Sequence, residues 1–346
     1  MAIRTKTKRR LLVLLIVVVA VVAAAGGIYT LRMRQIREEI ARKRTEGMAA
    51  FEKGDYFSAL HALGTYVNRS GEPDVEVLYK YSQARQKVEE PNAKHLLLAA
   101  GTLRHVLGLK PDHVQARRDL LDIYDQLGYS TEAIETADHI LKNHPDDPQA
   151  LRAKAIALTR LRKLNEALEL LERYNKLKPL ELDGHTLTFS IMRSLERPAR
   201  DLIARAEGLH KAHPGDPRME WLMAYAYGLA GDREKEAKWC RAAAGHDDLE
   251  PEVVIRIVGL LDHLGEPQKA FELLKRAADT HDDRQIQRSL AKRLWENQDF
   301  GQLIERFSDP NAPAAEADSE VLGLLALSLI KAGRQEDAGP FVDALS

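Results

Sequence analysis

Cysteine is nearly missing from this chain: Cys240 is the sole thiol among 346 residues. A single cysteine excludes an internal disulfide framework and any metal site built from several thiolates. It is compatible with either redox compartment, and beside Trp239 on an expected helix it reads as a small packing residue. An excess of one charge is missing too, since 51 basic residues face 52 acidic ones, a net charge of −1. Without a basic surplus, nothing supports nucleic-acid binding through a positive surface. At 45% hydrophobic and 30% charged residues the chain is neither disordered nor a polyelectrolyte. There is no P-loop, no Gly-x-Ser-x-Gly elbow, no His-Glu-x-x-His and no dinucleotide-binding glycine pattern. The chain therefore reads as a non-enzyme, with no catalytic residue and no cofactor.

Histidine and aspartate do cluster, at His144-Pro145-Asp146-Asp147, His213-Pro214-Gly215-Asp216, His246-Asp247-Asp248 and His281-Asp282-Asp283. Both residue types ligate metals. All four clusters, however, recur at one phase of a long period, so they sit on separate turns and do not converge on one ion. Asp147-Pro148 and Asp216-Pro217 place an acid at an N-cap and a proline at the first helical position, a helix-start signal. His210 and His213 have a ligand-like spacing but no third or fourth ligand nearby. No metal site is expected.

Long apolar runs are absent except for one. Leu11 to Leu31 contains 21 residues without a charge, and about 20 helical residues span the hydrocarbon core of a bilayer. The alternative is a cleaved signal peptide, since Ala23-Ala24-Ala25 has a small-residue cleavage pattern. The run continues through Ile28, Tyr29 and Leu31, which favours an uncleaved anchor. Basic residues flank both sides: Arg4, Lys6, Lys8, Arg9 and Arg10 before, Arg32, Arg34, Arg37, Arg42, Lys43 and Arg44 after. The positive-inside comparison is nearly balanced. A short basic tail held in the cytoplasm would put the rest of the chain outside, in the periplasm of a bacterium; the cytoplasmic placement is the alternative. Residues 1–10 thus form a basic tail, 11–31 a transmembrane helix and 32–45 a helical stalk.

Prolines at 111, 145, 179 and 214 then recur at intervals of 34 to 35 residues. Upstream of each lies a set spaced i, i+4, i+7, which falls on one helical face: Ala99/Leu103/Val106, Ala133/Ala137/Ile140, Ala167/Leu171/Tyr174 and Leu202/Ala206/Leu209. Each proline ends a helix because it has no N–H for the backbone ladder. Two helices per period of about 34 residues form the tetratricopeptide pattern. In the first repeat Gly47, Tyr56 and Ala59 stand where that family has a small residue in its first helix, an aromatic near the turn and an alanine in its second helix. Tyr124, Gly128-Tyr129 and Ala133 repeat the pattern, as do Trp221, Gly231 and Ala237, although Arg241 is an odd occupant of the +4 site. The second pair has an enlarged turn at Glu89-Glu90-Pro91-Asn92, and the eighth is interrupted by the loop Asp309-Pro310-Asn311-Ala312-Pro313.

The chain thus resembles membrane-anchored tetratricopeptide repeat proteins, with a bacterial source implied. The resemblance covers roughly residues 46–346. It implies an all-α, right-handed superhelical solenoid of about eight to nine helix pairs, preceded by one N-terminal transmembrane helix. The best repeats are 113–145, 148–179, 217–247 and 251–281. It further implies that the first helix of each pair lines a concave peptide groove. Carried onto matching positions, that groove comprises Gln115, Arg118, Asp122 and Asp125, then Gln149, Arg152, Ile156 and Arg160. Beyond these come Leu187 and Ile191, then Met219, Leu222 and Ala226. Leu187, Ile191 and Leu222 have a competing reading as core residues. The asparagines of the chaperone-binding clamp are absent, which speaks against chaperone tails as ligands.

The expected function is a membrane-anchored scaffold that binds a protein or peptide partner in its groove. One alternative is a structural subunit of an envelope complex that stacks through its C-terminal end, where Leu327, Ile330 and Leu345 would meet a partner. The other is the non-catalytic part of a longer enzyme. Fold alone chooses none of these.

Overall fold

The computed structural model describes the backbone of residues 5–308 and 318–343; within residues 5–24 it describes side chains only at Leu14 and Val22. Every regular element among the described residues is helical. The chain forms two compact units, Met1–Leu170 and Leu171–Ser346. The first contains α1 (Thr5–Glu52), α2 (Tyr56–Arg69), α3 (Val75–Lys87), α4 (Lys94–Leu109), α5 (Val114–Leu127), α6 (Ser130–Asn143) and α7 (Pro148–Arg160). The division falls within α8 (Leu164–Leu177). The second unit continues through α9 (Leu182–Ser194), α10 (Ala199–Ala212), α11 (Pro217–Ala230), α12 (Arg233–Ala244) and α13 (Pro251–His263). It ends with α14 (Pro267–Thr280), α15 (Arg284–Glu296), α16 (Phe300–Phe307), α17 (Ser319–Lys331) and α18 (Gln335–Asp343).

The apolar run 11–31, the stalk 32–45 and the first helix of the first pair are one helix, α1. Among the described residues no helix is long and apolar enough to cross a membrane; most side chains of the run 11–31 lie outside the described residues. The loop Asp309–Pro313 and Leu345 also lie outside them. The enlarged turn of the second pair is a short 3-10 helix, Pro91–Ala93.

The turn between the two helices of a pair needs one residue in the left-handed region. Gly128, Arg162, Glu196, Gly231, Gly265, Gln298 and Gly333 supply it, all with positive φ, at intervals of 33 to 35 residues. Glycine reaches this conformation without strain, whereas the other three tolerate a costlier one. Five residues after Gly54, Gly128, Arg162, Gly265 and Gly333 comes a buried alanine: Ala59, Ala133, Ala167, Ala270 and Ala338. These alanines lie where second helices press onto the core, and the partners at +4 and +7 (Leu63 and Tyr66, Ala137 and Ile140, Leu274 and Ala277) are buried with them. The first helix answers with its own small residue. A Cβ on Gly47 would lie 2.5 Å from Leu63 Cδ2 and 2.9 Å from the Leu63 backbone nitrogen.

The sixth pair corrects the expected register. Counting five from Gly231 reaches Glu236, and the buried stripe of α12 is Glu236, Cys240 and Ala243, with Ala237 half-buried and Arg241 exposed. The Glu236 carboxylate has room because it lies against Gly228 of α11, where a Cβ would meet Glu236 Oε1 at 2.5 Å. Arg241 is therefore no anomaly: it faces outward and pairs with Glu266.

Acids at three of the four His-Asp junctions cap helices, whereas after His246-Asp247-Asp248 the N-cap of α13 is Glu250, which makes no side-chain cap bond. Asp147 accepts from Ala150 N (2.9 Å), Asp216 from Arg218 N (2.9 Å), and Asp283 from Gln285 N and Ile286 N. Each satisfies backbone donors that have no partner within the helix. The His210 ring stands edge-on to Trp239 at 4.9 Å. Among the described residues no three His, Cys, Asp or Glu side chains group to hold a metal ion.

Candidate partner-binding faces

Within each unit, successive first helices touch one another: α5 on α7, and α9 on α11, α11 on α13, α13 on α15, α15 on α17. The outer sides of these helices form a face within each unit, and the side chains there are set by position relative to the helix start.

In the first unit this face is polar and largely self-paired. Gln115 donates to Asp119 Oδ1 (2.9 Å), and the Tyr79 hydroxyl, reaching from α3, donates to Asp119 Oδ2 (2.8 Å). Gln149 of α7 donates to Asp122 Oδ1 (2.6 Å). Arg160 holds Asp125 (2.7 Å), and Arg118 holds the buried cap Asp147 (2.5 Å). Arg152 stands close enough to lower the pKa of Asp122, and Ile156 is half-buried. The Asp122 carboxyl titrates above its usual range: crowding by protein raises it first, and the charges of Asp119 and Asp125 add to this against Gln149 and Arg152. The arginines of this face are therefore not a free basic surface. Tyr79 was not foreseen, because the enlarged turn of the second pair hides the phase of α3, and Asp119 of α5 stands outside the groove phase carried over from the family.

In the second unit the side chains separate. Leu187 is half-buried, but Ile191, Met219, Leu222 and Ala226 are enclosed in the core at 0–1% exposure. A one-residue shift on a helix rotates a side chain by about 100°, from surface to core. The first-unit residues Gln115, Arg118 and Asp122 follow Pro111 by four, seven and eleven residues. The same offsets from Pro179 give Asp183, Thr186 and Ser190, and from Pro214 they give Arg218, Trp221 and Tyr225. That spacing was the signal in the sequence, and these are the residues that share the face.

They assemble around aromatics. The Trp221 and Tyr225 rings stack at 5.2 Å and 10°, and Tyr225 stacks on the buried Phe189 at 6.4 Å and 12°. The Arg256 guanidinium of α13 lies 5.4 Å from the Trp221 centroid. Arg256 also donates to Glu252 Oε1 (2.8 Å) and to Asp183 of α9, so it ties the outer helices together across α11. Burial pushes the Tyr225 hydroxyl above its ordinary pKa, against the pull of Arg193 and Arg256, whose charges both reach it. Arg218 is saturated by Asp216 (2.8 Å) and Glu250 (3.4 Å).

A nearby open cleft of about 350 Å³ lies between the turn Leu177–Leu182, Arg218 and the start of α13 at Glu250 to Val253. At the other end of this unit, Leu327, Ile330 and Val342 are exposed on the last helix pair.

Residues 117–228, about a third of the chain, match the family model described as the N-terminal tetratricopeptide repeats region of Psidin. No curated protein matches the sequence. Among solved structures, a tetratricopeptide repeat protein from Parabacteroides merdae is 13% identical with a TM-score of 0.51, covering 74% of this chain and 99% of that one. MamA from Desulfovibrio magneticus RS-1 is 17% identical with a TM-score of 0.42, covering 51% of this chain and 97% of its own. The family match supports a tetratricopeptide-repeat assignment, and the Parabacteroides structure shares the fold.

Proposed function

We propose that the protein is a membrane-anchored, non-catalytic scaffold that recruits a protein partner through the first-helix faces of its repeats. The observation that carries the reading is the α9–α11–α13 face. Its aromatic stack is bridged by Arg256, which contacts Trp221 and joins α9 to α13, and among the described residues Trp221 Nε1 has no acceptor. A preorganised surface binds at lower entropic cost than a loose one. The polar face of the first unit, around Asp122 and Gln149, is a contact surface of its own. Burying groups already hydrogen-bonded to one another contributes little affinity, but it rejects partners that leave them unpaired.

Anchoring rests on the uncharged run 11–31, whose described apolar residues Leu14, Val22, Ile28, Tyr29 and Leu31 are each about two-thirds exposed. An exposed apolar helix of this kind is stabilised in hydrocarbon. The repeats then lie on the extracytoplasmic side, with the basic N-terminal tail inside. Protease treatment of spheroplasts tests this: digestion of a full-length, membrane-bound C-terminally tagged protein is expected. Protection would place the repeats in the cytoplasm, and a shortened soluble band would replace the anchor with a signal peptide.

A second reading is favoured by the exposure of Leu327 and Ile330: the last helix pair stacks on another subunit. Leu327→Lys with Ile330→Lys would then dissociate a complex that Tyr225→Ala leaves intact. The reverse outcome removes this reading.

A further inference from the structure

We infer that the second unit docks a basic segment of a partner protein in the cleft between the turn Leu177–Leu182 and the start of α13, where a lysine or arginine side chain is held between Glu181 and Glu250. The inference goes beyond the first-helix reading, because this cleft lies at the junctions between pairs and not along the outer sides of their first helices.

Two cap positions in this unit do not cap. Helices α11, α15 and α17 begin after Asp216, Asp283 and Asp318, and each of these carboxylates accepts from the backbone of its own helix. At α9 and α13 the same position holds Glu181 and Glu250, and neither makes a side-chain cap bond. Glutamate is not among the residues favoured at an N-cap, so helix stability is given up at both places. Both glutamates line the cleft.

Their oxygens are only partly engaged. Lys178 reaches Glu181 at 4.0 Å, and Arg218 reaches Glu250 at 3.4 Å while Asp216 holds the same guanidinium at 2.8 Å. A carboxylate has room for about four hydrogen bonds, so each keeps acceptor sites for a further donor. Leu177, Pro179, Leu180 and Val253 add apolar atoms to the cleft wall. The turn that carries Glu181 is held from beneath, where Nε2 of the buried His185 lies 2.9 Å from the Pro179 carbonyl oxygen. The wall is therefore preformed, which lowers the entropic cost of binding.

Charge selects the occupant. The second unit has 31 acidic and 24 basic residues. Its junctions at 178–183, 213–218, 246–252 and 281–284 hold nine acidic and three basic side chains, so almost all of the negative surplus lies there. Successive first helices pack side by side, which puts their starts on one edge. An edge of one sign steers a partner of the other. A lysine or arginine fits both parts of the cleft, its head on the two carboxylates and its methylene stem on Pro179 and Leu180. A metal ion would use the carboxylates alone, and among the described residues no three His, Cys, Asp or Glu side chains group to hold one.

The test uses a phage-displayed random dodecapeptide library, depleted on the Glu181→Gln with Glu250→Gln variant and then panned on the full-length wild-type chain. Glutamine keeps the side-chain shape and neither residue caps its helix, so the variant folds, and circular dichroism confirms this. Recovered peptides should be enriched in lysine or arginine beside an aliphatic residue, and their binding should weaken as salt is raised. Single exposed ion pairs are weak, so the loss is read on the double variant and should be about tenfold for the synthetic peptide. Glu132→Gln with Glu135→Gln, which removes the same charge from the exposed side of α6, should leave binding nearly unchanged. The inference is overturned if no peptide separates the wild type from the cleft variant, if the recovered peptides lack basic enrichment, or if the α6 control loses as much. Displacement of the peptides by calcium ions at fixed ionic strength would also overturn it, in favour of a metal ion as the occupant.

Discussion

Two helix glycines of the first unit should respond in opposite directions to the same substitution. Gly47 lies in α1 against Leu63, and Gly101 lies in α4 with no heavy atom within 4 Å of where its Cβ would stand. Replacing a helical glycine by alanine gains about 1 kcal/mol of backbone propensity. Gly101→Ala should realise that gain. In Gly47→Ala the new methyl would sit 2.5 Å from Leu63 Cδ2 and 2.9 Å from a backbone nitrogen. Leu63 is fully buried, so the collision is resolved only by moving packed atoms. Overpacking of this kind costs about 1–3 kcal/mol, which outweighs the propensity gain and leaves a net loss of about 1 kcal/mol. With a urea slope of roughly 2–3 kcal/mol/M, the two midpoints should move about 0.4 M in opposite directions. Far-ultraviolet circular dichroism is the suitable probe, because Trp221, Trp239 and Trp295 all lie in the second unit. If both variants are stabilised equally, the close crossing of α1 and α2 is wrong.

Three further outcomes follow from particular contacts. Asp147→Ala removes the α7 cap and strips Arg118 of its carboxylate; a loss of about 2 kcal/mol is expected in urea unfolding, and an unchanged midpoint would contradict the capping account. Burial pushes the Cys240 thiol up to about 12, so at pH 8 a disulfide reagent should label the native protein on the order of a hundred times more slowly than the unfolded chain. Labelling at the denatured rate would contradict the burial of Cys240. His185 is buried, its Nε2 lies 2.9 Å from the Pro179 carbonyl oxygen, and its Nδ1 has no partner. Burial, with some help from Arg205 and His213 and against the Pro179 contact and Glu172, lowers its pKa below the ordinary 6.5. The unfolded state then binds the proton more readily, so stability holds above about pH 6.5 and is lost as pH falls below it. His185→Gln should flatten that dependence, and an equally steep acid loss in the variant would assign it to other groups.

The helical pairs were legible because each repeat writes its own punctuation. A left-handed turn residue is followed five positions later by a small buried one, as at Gly128 and Ala133 or Gly265 and Ala270. Where Arg162, Glu196 and Gln298 take the left-handed conformation, the glycine signal disappears although the turn remains. In the second unit Ile191, Met219, Leu222 and Ala226, expected on the face, are enclosed for a related reason. Helix faces turn over within one residue, so Met219 and Leu222 are fully enclosed while Arg218 and Tyr225 stay partly exposed, with the buried Trp221 stacked on Tyr225. Contacts such as Tyr79 with Asp119, or Arg256 with Asp183, join residues 40 and 73 positions apart. No local pattern encodes such pairs; they follow from the stacking of helices whose separation the turns determine.

The central claim is that partners are selected by the first-helix faces. Its most direct test is quantitative affinity capture from membranes with three full-length baits. These are the wild type, Tyr225→Ala with Arg193→Glu, and a control reversing exposed charges on the second helix α6, Glu135→Lys with Lys142→Glu. Proteins recovered with the wild type and the α6 control, but lost with the face variant, are the expected result. Identical recovery with all three baits would contradict the account.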